Sequence, residues 1–395
     1  MSGCQRAVYL DNAATSYPKP ETVYRAVDWC LREVGANAGR GGYRRALEAD
    51  EIVYRARSAL ARLFNVRDAS RIVFTANATE ALNLAIKGLV GPGDHVVTSS
   101  LEHNAVWRCL KTLERDRGVK LTVVRCAPDG TLDPKAVEEA LRPGTRLIAL
   151  THASNVTGTI LPVAAVGEIA RRHGVPLLVD AAQTAGVLPL DVERDGIDLL
   201  AFTGHKGLLG PFGTGGLYIR EGFEPRPLKE GGTGSQSRLP YQPDLLPDRY
   251  EAGTLNVCGL AGLAAGVEFI LDRGVEKIRE KEKALTACAL EILAGTEGVE
   301  VYGPRDAERQ VGVISFNLAG VDGAEVAYVL DEVYGIMVRV GLHCAPLAHE
   351  TIGTLERGTV RISLGYFNTF EELDYLGEAL RAISRRVGDG GRGCG

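Results

Sequence analysis

The 395-residue sequence lacks most features that mark a specialised class of protein. It has no excess of charge of one sign. Forty-five Lys and Arg stand against 50 Asp and Glu, a formal net charge of -5, so no nucleic acid or other polyanion is expected as a partner. It has no long hydrophobic run either. The longest uncharged apolar stretch, Leu260 to Val267 with its flanks, falls far short of the roughly 20 residues that span a bilayer, and no membrane association is expected. The opening MSGCQRAVYLDNAAT has no basic start followed by an apolar core, so no secretory signal is expected. No CxxC pair occurs: Cys4, Cys30, Cys109, Cys126, Cys258, Cys288, Cys344 and Cys394 all stand singly. That excludes a disulfide scaffold, points to reduced thiols in a cytoplasmic enzyme, and leaves no expected metal site. No internal repeat is visible.

What is present is a globular composition. Hydrophobic residues make up 45% and charged residues 24%, enough apolar chain for a sizeable core and inconsistent with disorder. The length favours two or three domains. Glycine stands out, with 48 residues, or about 12% against a usual 7%. The glycines fall mostly between apolar runs, where the backbone must turn tightly or approach a ligand.

From Arg71 to Arg220, short continuous runs of Val, Leu and Ile alternate with segments of helical period. RIVF, HVVTS, LTVVRC, RLIALT, PLLVD and DLLAF read as strands covered on both faces. Leu82, Ala85, Ile86 and Leu89, and the segment Ala164 to His173, read as helices between them. Such alternation predicts a mostly parallel, doubly wound α/β sheet. GGLYI, from Gly215, reads as one further strand at an edge. The Gly- and Pro-rich segment from Glu221 to Gly253 has no period and reads as loop. One long helix is expected from Asn256 to Leu293, bridging to a second domain that contains VGVISFNLAG, a helix near Ala324 to Tyr334, the strands IMVRV and TVRISL, and a last helix from Thr369 to about Val387. The tail GDGGRGCG should be disordered.

In open α/β sheets ligands bind beyond the carboxyl ends of the strands. After RIVF, Asn77 can cap a helix and Glu80 can complete a capping box, leaving the amides of Ala78 and Thr79 to hold a phosphate; the same pattern suits an ordinary capped helix. Asp180 ends an otherwise apolar strand and needs a cation there, unless it caps the next helix. Lys206 sits in a Gly-flanked turn beyond DLLAF, where burial can lower an amine pKa far enough for a Schiff base; a solvated loop lysine is the alternative. Taken together and in this order, a phosphate cradle, a strand-end acid and a strand-end amine are what pyridoxal phosphate requires.

LDNAATS, LEHNAVW, SNVTG, VDAAQ, FTGHKGLLGP, EAGTLN, GLHCAP and GTVRISLGYFNT span nearly the whole chain and resemble the class V aminotransferase family, closest to its cysteine desulfurase and selenocysteine lyase branch. The resemblance implies a pyridoxal phosphate fold of type I: a mostly parallel seven-stranded sheet with helices on both faces, plus a smaller α+β domain. It implies an N-terminal arm over 1–18, a large domain over 19–257 and a small domain over 258–395. It gives Lys206 the covalent bond to the cofactor, Asp180 the ring nitrogen and Gln183 the ring hydroxyl. His103 stacks on the ring and serves in proton transfer. Ala78, Thr79, Thr203 and His205 bind the phosphate, with Thr254 supplied by the second subunit of a homodimer. Asn155, Arg339 and Arg361 bind the substrate, Arg361 gripping its carboxylate.

Cys344 is the implied nucleophile. It follows His343 and lies near Arg339, where positive charge favours a thiolate. The implied activity converts L-cysteine to L-alanine, leaving a persulfide on Cys344 for a sulfur-acceptor protein in iron–sulfur cluster assembly, thiolation or selenium use. A selenocysteine lyase acting without Cys344, or a catalytically silent scaffold for sulfur carriers, are the rival readings. LEHNAVW and RVGLHCAP lack a second histidine often found in the better-known desulfurases. Cys394, in the tail, reads as a stray terminal cysteine rather than a sulfur relay.

Overall fold

Every apolar run between Arg71 and Arg220 forms a strand, and all seven join one sheet. A computed structural model describes residues 7–39 and 41–390, with backbone alone for 387–390. The sheet order is Ile72–Thr75, Gly215–Ile219, Leu199–Thr203, Leu177–Asp180, Thr145–Thr151, His95–Ser99 and Lys120–Val124. The last five run parallel to one another. Alternate side chains point to opposite faces. Val97, Ile148, Val179 and Leu200 join one core with the helices Arg44–Leu63, Val163–His173 and Val257–Arg273. Val96, Ala149, Leu178 and Ala201 join the other with Ala78–Leu89 and Asn104–Arg117. Helices thus cover both faces, which is why the runs are apolar throughout.

Gly215–Ile219 is not an edge strand. It lies between Ile72–Thr75 and Leu199–Thr203, antiparallel to both. Glycine permits this. A Cβ at Gly216 would come within 2.5 Å of the Phe202 ring and 2.8 Å of the Val73 carbonyl, and one at Gly215 within 2.7 Å of the Asn77 Cα.

The expected single helix from Asn256 is two, Val257–Arg273 and Val275–Ala294, because Gly274 has φ +83° and breaks the hydrogen-bond ladder. The IMVRV run also divides. Ile336–Met337 pairs in parallel with Val8–Tyr9, whereas Arg339–Gly341 is the edge of an antiparallel four-stranded sheet with Thr359–Ser363, Val313–Leu318 and Val299–Tyr302. That sheet and the helices Val275–Ala294, Gly323–Tyr334 and Phe370–Gly390 enclose a third core around Ile314, Phe316, Ile362 and Leu376. The last helix extends to Gly390, three residues into the stretch expected to be disordered, since a formed helix gains one hydrogen bond for each residue added. Residues 391–395, Cys394 among them, and Cys4 lie outside the described residues.

The segment between Arg220 and Asn256 holds no helix or strand but is anchored. Glu251 makes a buried, two-pronged ion pair with Arg57 (2.8 and 2.9 Å) and accepts the Phe74 N–H at 2.6 Å. Tyr250 is buried, its hydroxyl on the Pro225 carbonyl at 3.0 Å. The N-terminal arm crosses the molecule. The Leu10 carbonyl takes the Ser363 N–H, while Ser16 N–H and the Thr15 hydroxyl both reach the His205 carbonyl (2.9 and 3.0 Å).

Candidate active site

The carboxyl ends of the parallel strands surround a cavity. Ala78, Thr79, His103, Asn155, Asp180, Gln183, Thr203, His205 and Lys206 all line it. Each arrives from a strand end or the turn after it, so the sheet sets their spacing. Asn77 caps the helix that starts at Ala78, accepting the Glu80 N–H at 3.0 Å, and Glu80 reaches back to the Ala76 N–H at 2.7 Å. The amides of the first helical turn have no partner within the helix and carry its positive dipole end.

Asp180 is buried, its Oδ1 accepting the Ala182 N–H at 2.9 Å. Burial pushes its carboxyl above the usual range, and the positive charge of Lys206 works against that. The same burial brings the Lys206 amine down to about 8. Asp180 and Asp11 raise it, and Arg361 and Arg339 lower it. Gln183 donates to the Ala13 carbonyl at 3.2 Å, so the N-terminal arm borders the cavity. His205 stacks on Phe212, with 5.2 Å between centroids.

His103 has a second task that its sequence context concealed. Its Nδ1 accepts the Ala105 N–H at 3.0 Å and so caps the helix Asn104–Arg117. Burial first, then the Lys206 charge, takes the ring to about 4, leaving it neutral with its proton on Nε2. His103 can therefore donate a hydrogen bond into the cavity, but its one lone pair is already engaged.

Cys344 is outside the cavity lining but bonded next to it. Among the described cysteines it alone is exposed. Its carbonyl accepts the Asn104 N–H at 2.7 Å, one residue beyond His103, and Asn155 Nδ2 donates to the His343 carbonyl. His343 and Cys344 have φ of +47° and +60°, a left-handed pair that costs non-glycine residues roughly 1–3 kcal/mol each. Those two contacts hold it in place. Arg339 Nη2 stands 3.9 Å from the Cys344 sulfur, outside the cavity lining. His343 contributes no charge there: its Nε2 meets the Thr359 hydroxyl at 3.0 Å and burial keeps it neutral.

Besides Cys344 and Arg339, two more of the expected residues are absent from the cavity lining. Thr254 is exposed in the single chain. Arg361 is 1% exposed, behind Asn155, whose carbonyl it reaches at 3.0 Å, and it pairs with Asp11 at 2.7 Å. Asp11 was not singled out in the sequence, nor was Glu102. The latter is wholly buried, accepts the Ser99 hydroxyl (2.6 Å) and the Thr151 N–H (3.0 Å), and is pushed up to about 8 by burial. An acid directly after the apolar run HVVTSSL meets the criterion that flagged Asp180.

The aminotransferase class-V family profile matches residues 8–376. The chain belongs to that family. Among its relatives, a probable cysteine desulfurase of Methanothermobacter thermautotrophicus is 39% identical over 95% of this chain and 94% of that protein. A cysteine desulfurase of Salmonella agona is 36% identical over 96% and 94%. The apo structure of the cysteine desulfurase from Thermococcus onnurineus NA1 superposes with a TM-score of 0.90 at 36% identity, covering 96% of this chain and 95% of that one.

Class-V enzymes use pyridoxal phosphate, and the residues here fit it. Asn155 Oδ1 and His205 Nδ1 are buried at the cavity without partners. Asp180 is a buried acid that a cation in the cavity would offset, and Lys206 is a buried amine brought down to about 8. Among the described residues no helix is long and apolar enough to cross a membrane.

Proposed function

We propose that the chain is a cysteine desulfurase that converts L-cysteine to L-alanine and takes the sulfur as a persulfide on Cys344. The observation that carries this reading is the exposed Cys344, bonded next to the cavity beside His103 and faced by Arg339. Pyridoxal phosphate, when bound, supplies an aldehyde for the substrate amine and a sink for negative charge at Cα. Ala78, Thr79, Thr203 and His205 hold its phosphate, Asp180 its ring nitrogen, Gln183 its ring hydroxyl and Lys206 its aldehyde, with His103 over the ring. Thr254, exposed in one chain, reaches the phosphate from the second copy in a homodimer.

Lys206 Nζ, made a weaker base by burial, removes the Cα proton. The Cys344 thiolate attacks the substrate sulfur. An S–S bond forms, the Cβ–S bond breaks, and its electron pair returns to the amino-acid carbon, which is protonated to give L-alanine. His103 Nε2–H donates a hydrogen bond toward the reacting atoms, and the proton that Lys206 has taken from Cα is the one returned to carbon. Arg361, with Asn155, takes the substrate carboxylate. The persulfide passes to a thiol on an acceptor protein, within the cytoplasm.

The test is release of alanine and, with added reductant, sulfide from L-cysteine by the wild type and Cys344→Ala. The variant should keep its cofactor absorption and release no sulfide. Undiminished sulfide release would refute the role of Cys344, and selenide release from L-selenocysteine by the same variant would favour a lyase.

A further inference from the structure

The residue assigned to the substrate carboxylate already holds a carboxylate. Arg361 is 1% exposed, its Nη2 donating to Asp11 Oδ1 at 2.7 Å and its Nη1 to the Asn155 carbonyl at 3.0 Å, while its Nε is buried without a partner. Asp11 differs from Arg361 in freedom: its side chain is 21% exposed. It sits on the N-terminal arm, which the Leu10 carbonyl ties to Ser363 and which Gln183 grips through the Ala13 carbonyl. An unpaired guanidinium at that depth would be costly, so some anion must face it before substrate arrives.

We propose that Asp11 is an internal stand-in for the substrate carboxylate, pairing with Arg361 in the resting enzyme and giving way to the amino acid as it binds. The exchange replaces one carboxylate by another, so the buried charge of Arg361 stays balanced throughout. Asp11, partly exposed, turns to water as it leaves. The Nε–H with no acceptor gives the incoming carboxylate a second donor on the same guanidinium, which a two-pronged contact uses and Asp11 does not. Asp11 thereby sets affinity for amino acids without touching the reacting atoms. It is a positioning residue.

The proposal rests on Arg361 being the carboxylate site of the reading above, and its deciding test, ligand binding, avoids turnover. L-alanine binding is titrated through the change in cofactor absorption, in wild type and Asp11→Asn. The variant keeps the shape and an acceptor oxygen but loses the charge, so the resident competitor weakens and L-alanine should bind about tenfold more tightly, the difference between a charge-assisted and a neutral hydrogen bond. The KM for L-cysteine should fall in the same ratio. Unchanged or weaker L-alanine binding would overturn the proposal, since a residue that merely orients Arg361 would cost affinity when lost. A cooperative thermal melt confirms that the variant folds, and Asp11→Ser, read the same way, replaces it if it does not. Failure of the wild type to release sulfide would count against the desulfurase reading alone.

Discussion

Replacing Arg339 by Gln removes a cation placed against the nucleophile. Its Nη2 lies 3.9 Å from the Cys344 sulfur. Two unit charges about 4 Å apart attract by about 1 kcal/mol at the dielectric constant of water and about 4 kcal/mol at an effective value near 20. Cys344 is exposed, so the lower figure applies, and about 1 kcal/mol corresponds to about a fivefold change in rate. Arg339→Gln should therefore slow alkylation of Cys344 by iodoacetamide at pH 7 about fivefold. The other described cysteines are buried or half-buried, so Cys344 should react before them, and peptide mass analysis separates its label from any on Cys4 or Cys394. Desulfuration should fall in kcat by the same factor. Arg339→Lys keeps the charge and should stay within about twofold of wild type. Two results would refute the reasoning. Alkylation of the Gln variant at the wild-type rate would remove the electrostatic role, and a Lys variant as slow as Gln would show that shape, not charge, is what matters.

Two further predictions concern the buried charges. Lys206 has a folded pKa of about 8 against 10.5 when free, so the folded protein without cofactor binds fewer protons than the unfolded chain between those values. Its stability should rise with pH across that interval; a melting temperature that climbs between pH 8 and 10 in wild type and less in Lys206→Met would confirm it, and an identical climb in both would not. Glu251→Gln leaves Arg57 charged and buried, a loss of about 3–5 kcal/mol. With about 2.1 cal/mol/K per residue, 395 residues give an unfolding entropy of about 0.8 kcal/mol/K and a melting temperature lower by about 4–6 °C, which differential scanning calorimetry reads directly. The double variant Arg57→Met, Glu251→Leu removes the unpaired charge but leaves the Phe74 N–H and the Ile72 carbonyl without these partners, and should recover only part of that loss.

The sheet and most of the cavity were legible because each rests on a local pattern. Strands buried on both faces must be apolar throughout, and the residues that touch a ligand in such a sheet stand directly after those runs, as Asp180, Lys206 and Ala78 do. What stayed hidden depends on partners distant in sequence. An apolar run shows that a strand is buried but not what it pairs with, so IMVRV gave no sign that its first two residues would join Val8–Tyr9 and its last two, with Gly341, would join Thr359–Ser363. Gly215–Ile219 looked peripheral because its close approach to Phe202 and Asn77 shows only once the neighbouring strands are in place. The pairing of Asp11 with Arg361 joins residues 350 apart and has no spacing to betray it. His103 is the mixed case. Its position beside the cavity followed from the motif, but the capping bond to Ala105 that fixes its tautomer followed from the backbone turn alone. The same motif in a chain whose helix began one residue later would leave that lone pair free, so whether His103 can accept a hydrogen bond as well as donate one is decided by a helix start rather than by residue identity.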